Sequence, residues 1–137
     1  MARSNVETLR VYRVAEELAD RVWNIVIGWN YFARDTIGKQ LVRAVDSIGA
    51  NISEGSARGS FLDNKRFVRI SRGSFHEAQY WLRRAYKRQL LTPAQVDQLK
   101  PLVDELGPTI NAYLKSIGRR PSGVSPNIPS IRTTTDD

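Results

Sequence analysis

The chain has no cysteine and a single histidine. Without thiols there is no disulfide framework, no thiolate nucleophile and no zinc knuckle. A nucleophile–histidine pair would have to use His76, which lies among arginines and reads as a solvated surface residue. The glycines of GSARGS (residues 55–60) make no phosphate loop, because no Gly-Lys-Ser/Thr follows and no strand precedes them. The Glu-x-x-His pairs of bundle metal proteins are also missing. Long apolar runs are absent too. The longest candidate, residues 22–32, is broken by Asn24 and Asn30 and is far too short to span a bilayer. The first ten residues, MARSNVETLR, lack the apolar core of a secretory signal. These absences lead us to expect a non-enzymatic, cytoplasmic protein without metal, cofactor or membrane association.

Acidic residues are scarce in one particular stretch. Residues 58–88 hold nine basic residues and two acids (Asp63 and Glu77), a balance equal to the +7 of the whole chain. At about 100° per residue this stretch splits into two helical faces. Phe67, Val68, Ser71, Ser74, Phe75, Ala78, Trp81, Leu82, Ala85 and Tyr86 share the side expected to be buried. Its small central residues suit a closely approaching neighbour helix. The other side carries Lys65, Arg69, Arg72, His76, Tyr80, Arg83 and Lys87, widened by Arg66, Arg84 and Arg88. A basic face of this kind favours a polyanionic partner, with nucleic acid first.

Around this stretch the chain reads as four helices, over about residues 6–29, 37–54, 61–90 and 93–117. In the first, Leu9, Tyr12, Ala15, Leu18, Ala19, Val22, Ile25, Val26 and Trp29 repeat with helical spacing, while Arg13, Glu17 and Arg21 form an outer series. Trp23, Trp29, Tyr31 and Phe32 are expected in the core or a packed loop, with a subunit contact as the other reading. Residues 30–36 read as a loop. Ile37, Leu41, Ala44, Val45, Ile48 and Ile52 line the second helix, and Gly55 and Gly59 mark its end. Ser60 with Asp63 opens the third helix, and Thr92-Pro93 with Gln95 opens the fourth. Pro101 and Pro108 predict kinks in the fourth helix, or a split at Gly107-Pro108. Residues 118–137, rich in Pro, Ser, Gly and Thr, read as a disordered tail. Short loops and no strand pattern give an all-α, antiparallel up-down four-helix bundle.

Two polar clusters interrupt this pattern. Asn51 and Glu54 are expected to brace the turn into the third helix, with Glu54 pairing Arg58 and Glu77 in a similar role. Gly73-Ser74 reads as a close-packing notch.

The same residues carry a resemblance. SIGANISEGSARGS and RFVRISRGSFHEAQYWL resemble the signature of the bacterial four-helix-bundle family encoded in intervening sequences of 23S ribosomal RNA genes. Asn51, Ile52, Glu54 and Gly55 match its first motif, and Phe67, Ile70, Gly73, Ser74 and Glu77 match its second. The resemblance covers about residues 6–117. That family is in turn similar to the accessory variability proteins of diversity-generating retroelements, basic bundles that form pentameric barrels and bind nucleic acid with a reverse transcriptase. The resemblance therefore implies a ring-shaped homo-oligomer (a homopentamer) and a nucleic-acid role, with a reverse transcriptase or an rRNA-linked element as the associated machinery. Pro101 and Pro108 depart from the family's fourth helix.

From the residues, Lys65, Arg66, Arg69, Arg72, Arg83, Arg84, Lys87 and Arg88 are expected to meet phosphates, with Tyr80 available for stacking. Such contacts bring weak sequence preference. The alternative is a protein scaffold whose basic face meets an acidic partner, or Glu16, Glu17 and Asp20 of a neighbouring subunit.

Overall fold

The computed structural model describes residues 5–119, which form helices joined by short turns and contain no strand. The expected tail falls outside the described residues from position 120 onward.

A 3-10 turn, Asn5–Thr8, leads into α1, Arg10–Val26. Val11, Val14, Ala15, Leu18, Val22, Ile25 and Val26 are buried along one stripe, spaced by three and four residues as a core-facing helix requires. The helix ends at Val26, short of the expected Trp29. Its last carbonyls are taken by tighter bonds, from Gly28 N to Ile25 O at 3.1 Å and from Trp29 N to Val26 O at 3.0 Å.

The expected loop at residues 30–36 is helical instead. Asn30 is the reason: its side chain caps a new start by accepting from Ala33 N at 3.0 Å. The chain turns through Tyr31–Ala33, widens into a π-helical turn at Arg34–Gly38, and runs on as α2, Lys39–Ser56. Gly38 permits this path because a Cβ there would lie 2.7 Å from Val26 Cγ1. Along α2, Leu41, Ala44, Val45, Ile48 and Ile52 are buried as expected, and Ile37 joins them.

The third helix, α3, spans Phe61–Lys87, and Ser60 Oγ accepts from Asp63 N at 3.1 Å. It stops before the expected Leu90 because Gln89 adopts φ 61°. Leu90 N then bonds Ala85 O at 2.9 Å and Gln89 N bonds Tyr86 O at 3.0 Å. This is a Schellman stop with glutamine where glycine is usual. Gln89→Gly is therefore expected to stabilise the fold by about 1 kcal/mol, read from denaturant unfolding.

The fourth helix, α4, spans Pro93–Ser116, with both bonds of a capping box in place between Thr92 and Gln95. It is not split at Gly107-Pro108. Pro101 and Pro108 lie inside one unbroken helix, and both are exposed. On that face the carbonyls that lose a backbone partner meet water, which lowers the cost of proline.

In a closed circuit, α1 packs on α2 and α4, and α3 packs on α2 and α4. The fold is an all-α four-helix bundle around one core, with Leu18, Ile48, Ile52, Leu106 and Ile110 fully buried. Ser71 is buried among them, and its Oγ donates to Ile48 O at 2.8 Å, so the small centre of α3 is tied to α2. Arg10 clasps Glu105 with two bonds of 2.6 and 2.8 Å, joining α1 to α4 at the surface.

Candidate nucleic-acid interface

The basic residues of α3 point away from the buried row Val68, Ser71, Phe75, Ala78 and Ala85. Arg66, Arg69, His76, Tyr80, Arg83, Lys87 and Arg88 are exposed, while Lys65, Arg72 and Arg84 are half-buried. Two of the cations serve the fold itself. Arg72 Nη1 donates to Asn111 Oδ1 on α4 at 3.1 Å. Arg66 lies 3.6 Å from Asp63 and places its guanidinium 4.7 Å from the centre of the Phe67 ring. Among the described residues, Lys65, Arg69, Arg83, Arg84, Lys87 and Arg88 make no salt bridge; the ion pairs of the bundle involve other cations. The last four of these crowd the C-terminal end of α3, where the helix dipole favours positive charge. Tyr80 stands beside Trp81 edge-to-face, with centroids 4.9 Å apart.

The residues of the first signature cluster bond within the bundle. Asn51 Nδ2 donates to Ser47 O at 2.8 Å and to Ser47 Oγ at 2.9 Å, and Ser47 Oγ shares a 2.8 Å bond with Ser74 Oγ. Those bonds link α2 to α3. Glu54 and Arg58 pair at 3.5 Å, as expected, and Arg58 lies over Phe67 at 4.9 Å. Gly55 does not end α2 but lies inside it, pressed on α3. A Cβ there would sit 2.6 Å from Asn64 Oδ1 and 2.9 Å from Phe67 Cβ.

The second cluster divides. Ser74 joins the link just described, and Glu77 accepts from Trp81 Nε1 at 3.2 Å. Gly73 is no close-packing notch: nothing lies within 4 Å of a Cβ built there. The close approach of α2 and α3 is at Gly55 instead. Ile70, one turn before Gly73, is 45% exposed. Ile70 and Gly73 therefore stand open on the surface, as do the charged signature positions Glu54 and Glu77.

The sequence profile described as 23S rRNA-intervening sequence protein matches residues 7–112. The chain belongs to this family. No curated protein matches it. Among solved structures, it is similar to a protein of unknown function from the S23 ribosomal protein family of Bacteroides thetaiotaomicron. The two share 24% identity and a TM-score of 0.68, over 77% of this chain and 99% of the other, which supports the bundle fold.

In this family member the basic stripe is not the only unusual surface. Of the four aromatics read as core or packed loop, with a subunit contact as the other reading, Trp29 alone is buried, and its Nε1 donates to Leu90 O at 2.9 Å. Trp23, Tyr31 and Phe32 are exposed, and Ile27 beside them is 51% exposed. Tyr86, placed on the buried side of α3 by its spacing, is 60% exposed. The acids of α1 form local bonds: Glu17 pairs Arg21 at 3.0 Å, and Glu16 accepts from Tyr12 Oη at 2.8 Å. No described group of three or more acids, histidines or cysteines is placed to hold a metal ion. No described helix is long and apolar enough to cross a membrane.

Partial burial, and then the charge of Asp20, raise the Asp46 carboxyl above its ordinary value of 3.8. A raised folded value favours the fold when the carboxyl is protonated. That contribution is present below the ordinary value and is lost as pH rises through the folded value. Asp46→Asn is therefore expected to raise the melting temperature at about pH 7 and to leave it nearly unchanged at about pH 3.

Proposed function

We propose that this bundle binds nucleic acid, without catalysing a reaction, by laying the outer face of α3 along a phosphate backbone. The observation that supports it is the set of exposed or half-exposed cations, Lys65, Arg69, Arg83, Arg84, Lys87 and Arg88, that make no salt bridge among the described residues. A folded chain commonly offsets such a row with acids three or four residues away, as Arg21, Lys39 and Lys100 are offset here. Here the row stays unneutralised, which suits a polyanion that neutralises several charges together. Backbone contacts carry little sequence information, so preference among sequences is weak. The family's description makes structured ribosomal RNA the first ligand to try, with a reverse transcriptase or rRNA-linked element as the associated machinery. The same reading takes the chain as a ring-shaped homo-oligomer, supported by the open surface at Ile70 and Gly73.

The test is binding of nuclease-treated protein to a labelled structured RNA and to duplex DNA across a salt series. Log affinity should fall linearly with log salt, each phosphate contact on duplex DNA adding about 0.9 to the slope. Absence of binding to both ligands near physiological salt would overturn the proposal.

A further inference from the structure

The contact between α3 and α4 changes character along its length. Toward the start of α3 the two helices are zipped together. The Phe75 ring presses on Gly107, where a Cβ would lie 3.1 Å from Phe75 Cε2, and Arg72 reaches Asn111. Beyond Phe75 the helices leave an apolar groove of about 390 Å³ between them. Leu82, Leu91, Val96, Leu99 and Val103 line it, and Tyr86 stands at its edge. Leu99 is buried at the bottom; Leu82, Leu91, Val96 and Val103 are only half-covered. Cations border both walls, Arg83 and Lys87 on α3 and Lys100 on α4. Lys100 is held by Asp104 at 2.8 Å, whereas Arg83 and Lys87 make no salt bridge among the described residues.

We infer that this groove receives an amphipathic acidic helix of a partner protein. The α3 wall from Gln79 to Lys87 is about 12 Å long at 1.5 Å per residue. That is two turns, the span of anchors at i, i+3 or i+4, and i+7 in helix-in-groove recognition. The groove is open along its length, whereas small-molecule sites enclose about 70–90% of their ligand. Cations on both sides call for an apolar seam with acids on both flanks. Among the described residues α1 does not supply that pattern: Trp23 and Ile27 are exposed, but Asp20 and Asn24 both lie on one side of them and the buried Val22 and Val26 on the other. The inference does not rest on the nucleic-acid reading, because it stands on the apolar floor as well as the rim.

The test uses a fluorescein-labelled synthetic helix of about four turns, with leucines along one seam and glutamates on both flanks. Its control has the same composition with the leucines scattered around the helix. Anisotropy should show the patterned peptide binding and the scattered one not. Val103→Glu, and separately Arg83→Glu with Lys87→Glu, should each weaken binding about tenfold, the loss expected for one central anchor. Val96→Glu serves if the Val103 variant fails to melt cooperatively. Arg69→Glu should leave peptide binding unchanged while weakening nucleic-acid binding, which separates failure of one reading from failure of the other. Equal binding of the two peptides, or no effect of the wall variants, would overturn the inference. So would displacement of the peptide by dodecanoate at a lower concentration than by unlabelled peptide. Self-association of the protein that Val103→Glu abolishes would also overturn it, by giving the groove to a second copy.

Discussion

Replacing Arg69 and Arg83 together by glutamate is expected to weaken nucleic-acid binding by about a hundredfold at 0.1 M salt. Each phosphate contact contributes about 0.9 log unit there through counterion release, so two lost contacts already approach that figure. Reversing the charges adds repulsion to the loss. The salt slope should fall by about two units, because two fewer phosphates are neutralised. Both side chains are exposed and make no ion pair among the described residues, so the melting temperature should hardly move. The control is Arg21→Glu, which reverses a cation already paired with Glu17 at 3.0 Å. If it weakens binding as much as the double variant does, net charge rather than the α3 face is responsible, and the assignment fails.

A second large effect is expected from two glycines that look alike in the sequence. Gly55→Val should destabilise the bundle by about 3 kcal/mol, the upper range for forcing extra carbons into a packed contact. At Gly55 even a single Cβ would sit 2.6 Å from Asn64 Oδ1 and 3.1 Å from the Asn64 carbonyl oxygen. Two atoms of one residue on α3 thus stand in the way, one of them backbone, so α2 and α3 would have to separate. Asn64 Oδ1 ends a side chain that could turn aside, but the Asn64 carbonyl oxygen and Phe67 Cβ, the latter 2.9 Å from the added atom, are fixed to the backbone of α3. The melting temperature should drop by on the order of 10 °C. Gly73→Ala should act in the opposite direction, adding about 0.5–1 kcal/mol, because nothing is met and helix propensity improves. Thermal melts of the two variants decide this. A Gly73→Ala protein that melts higher yet sediments as a smaller species would mean that the open surface there is used by a neighbouring subunit.

The contrast between these glycines marks how far the sequence could be read. Helix starts at Ser60 and Thr92 were legible because a cap needs only local residues, and both caps form as expected. The core rows of α2 and α4 were legible because their apolar spacing is unambiguous. Asn30 was harder: it sits amid aromatics that resemble a packed loop, and its capping role shows only once Ala33 N meets it. Trp23 carried a usable signal. It lies about 140° around α1 from Leu18, outside the buried stripe, so its exposure follows from spacing alone. Tyr86 carried none, since its exposure depends on α4 standing off from α3 at that level. The stripe on α3 was plain from its steps of three and four. Its division into cations used by the fold and cations left over was not, because Arg72 finds Asn111 from another helix 39 positions away.

The π turn at Arg34–Gly38 has a consequence for insertions and deletions. Such a turn holds one residue more than an α turn, so the chain stores a spare residue at this point. Deleting Asp35 would let the segment close into a regular helix without disturbing the core row from Leu41 onward. The residues before it would keep their phase, because the wide turn already takes up the rotation of its extra residue. Tyr31 and Phe32 would stay on the same side of the bundle, and Asn30 would keep its capping position. A second deletion would find no such reserve and would turn that aromatic corner by about 100°.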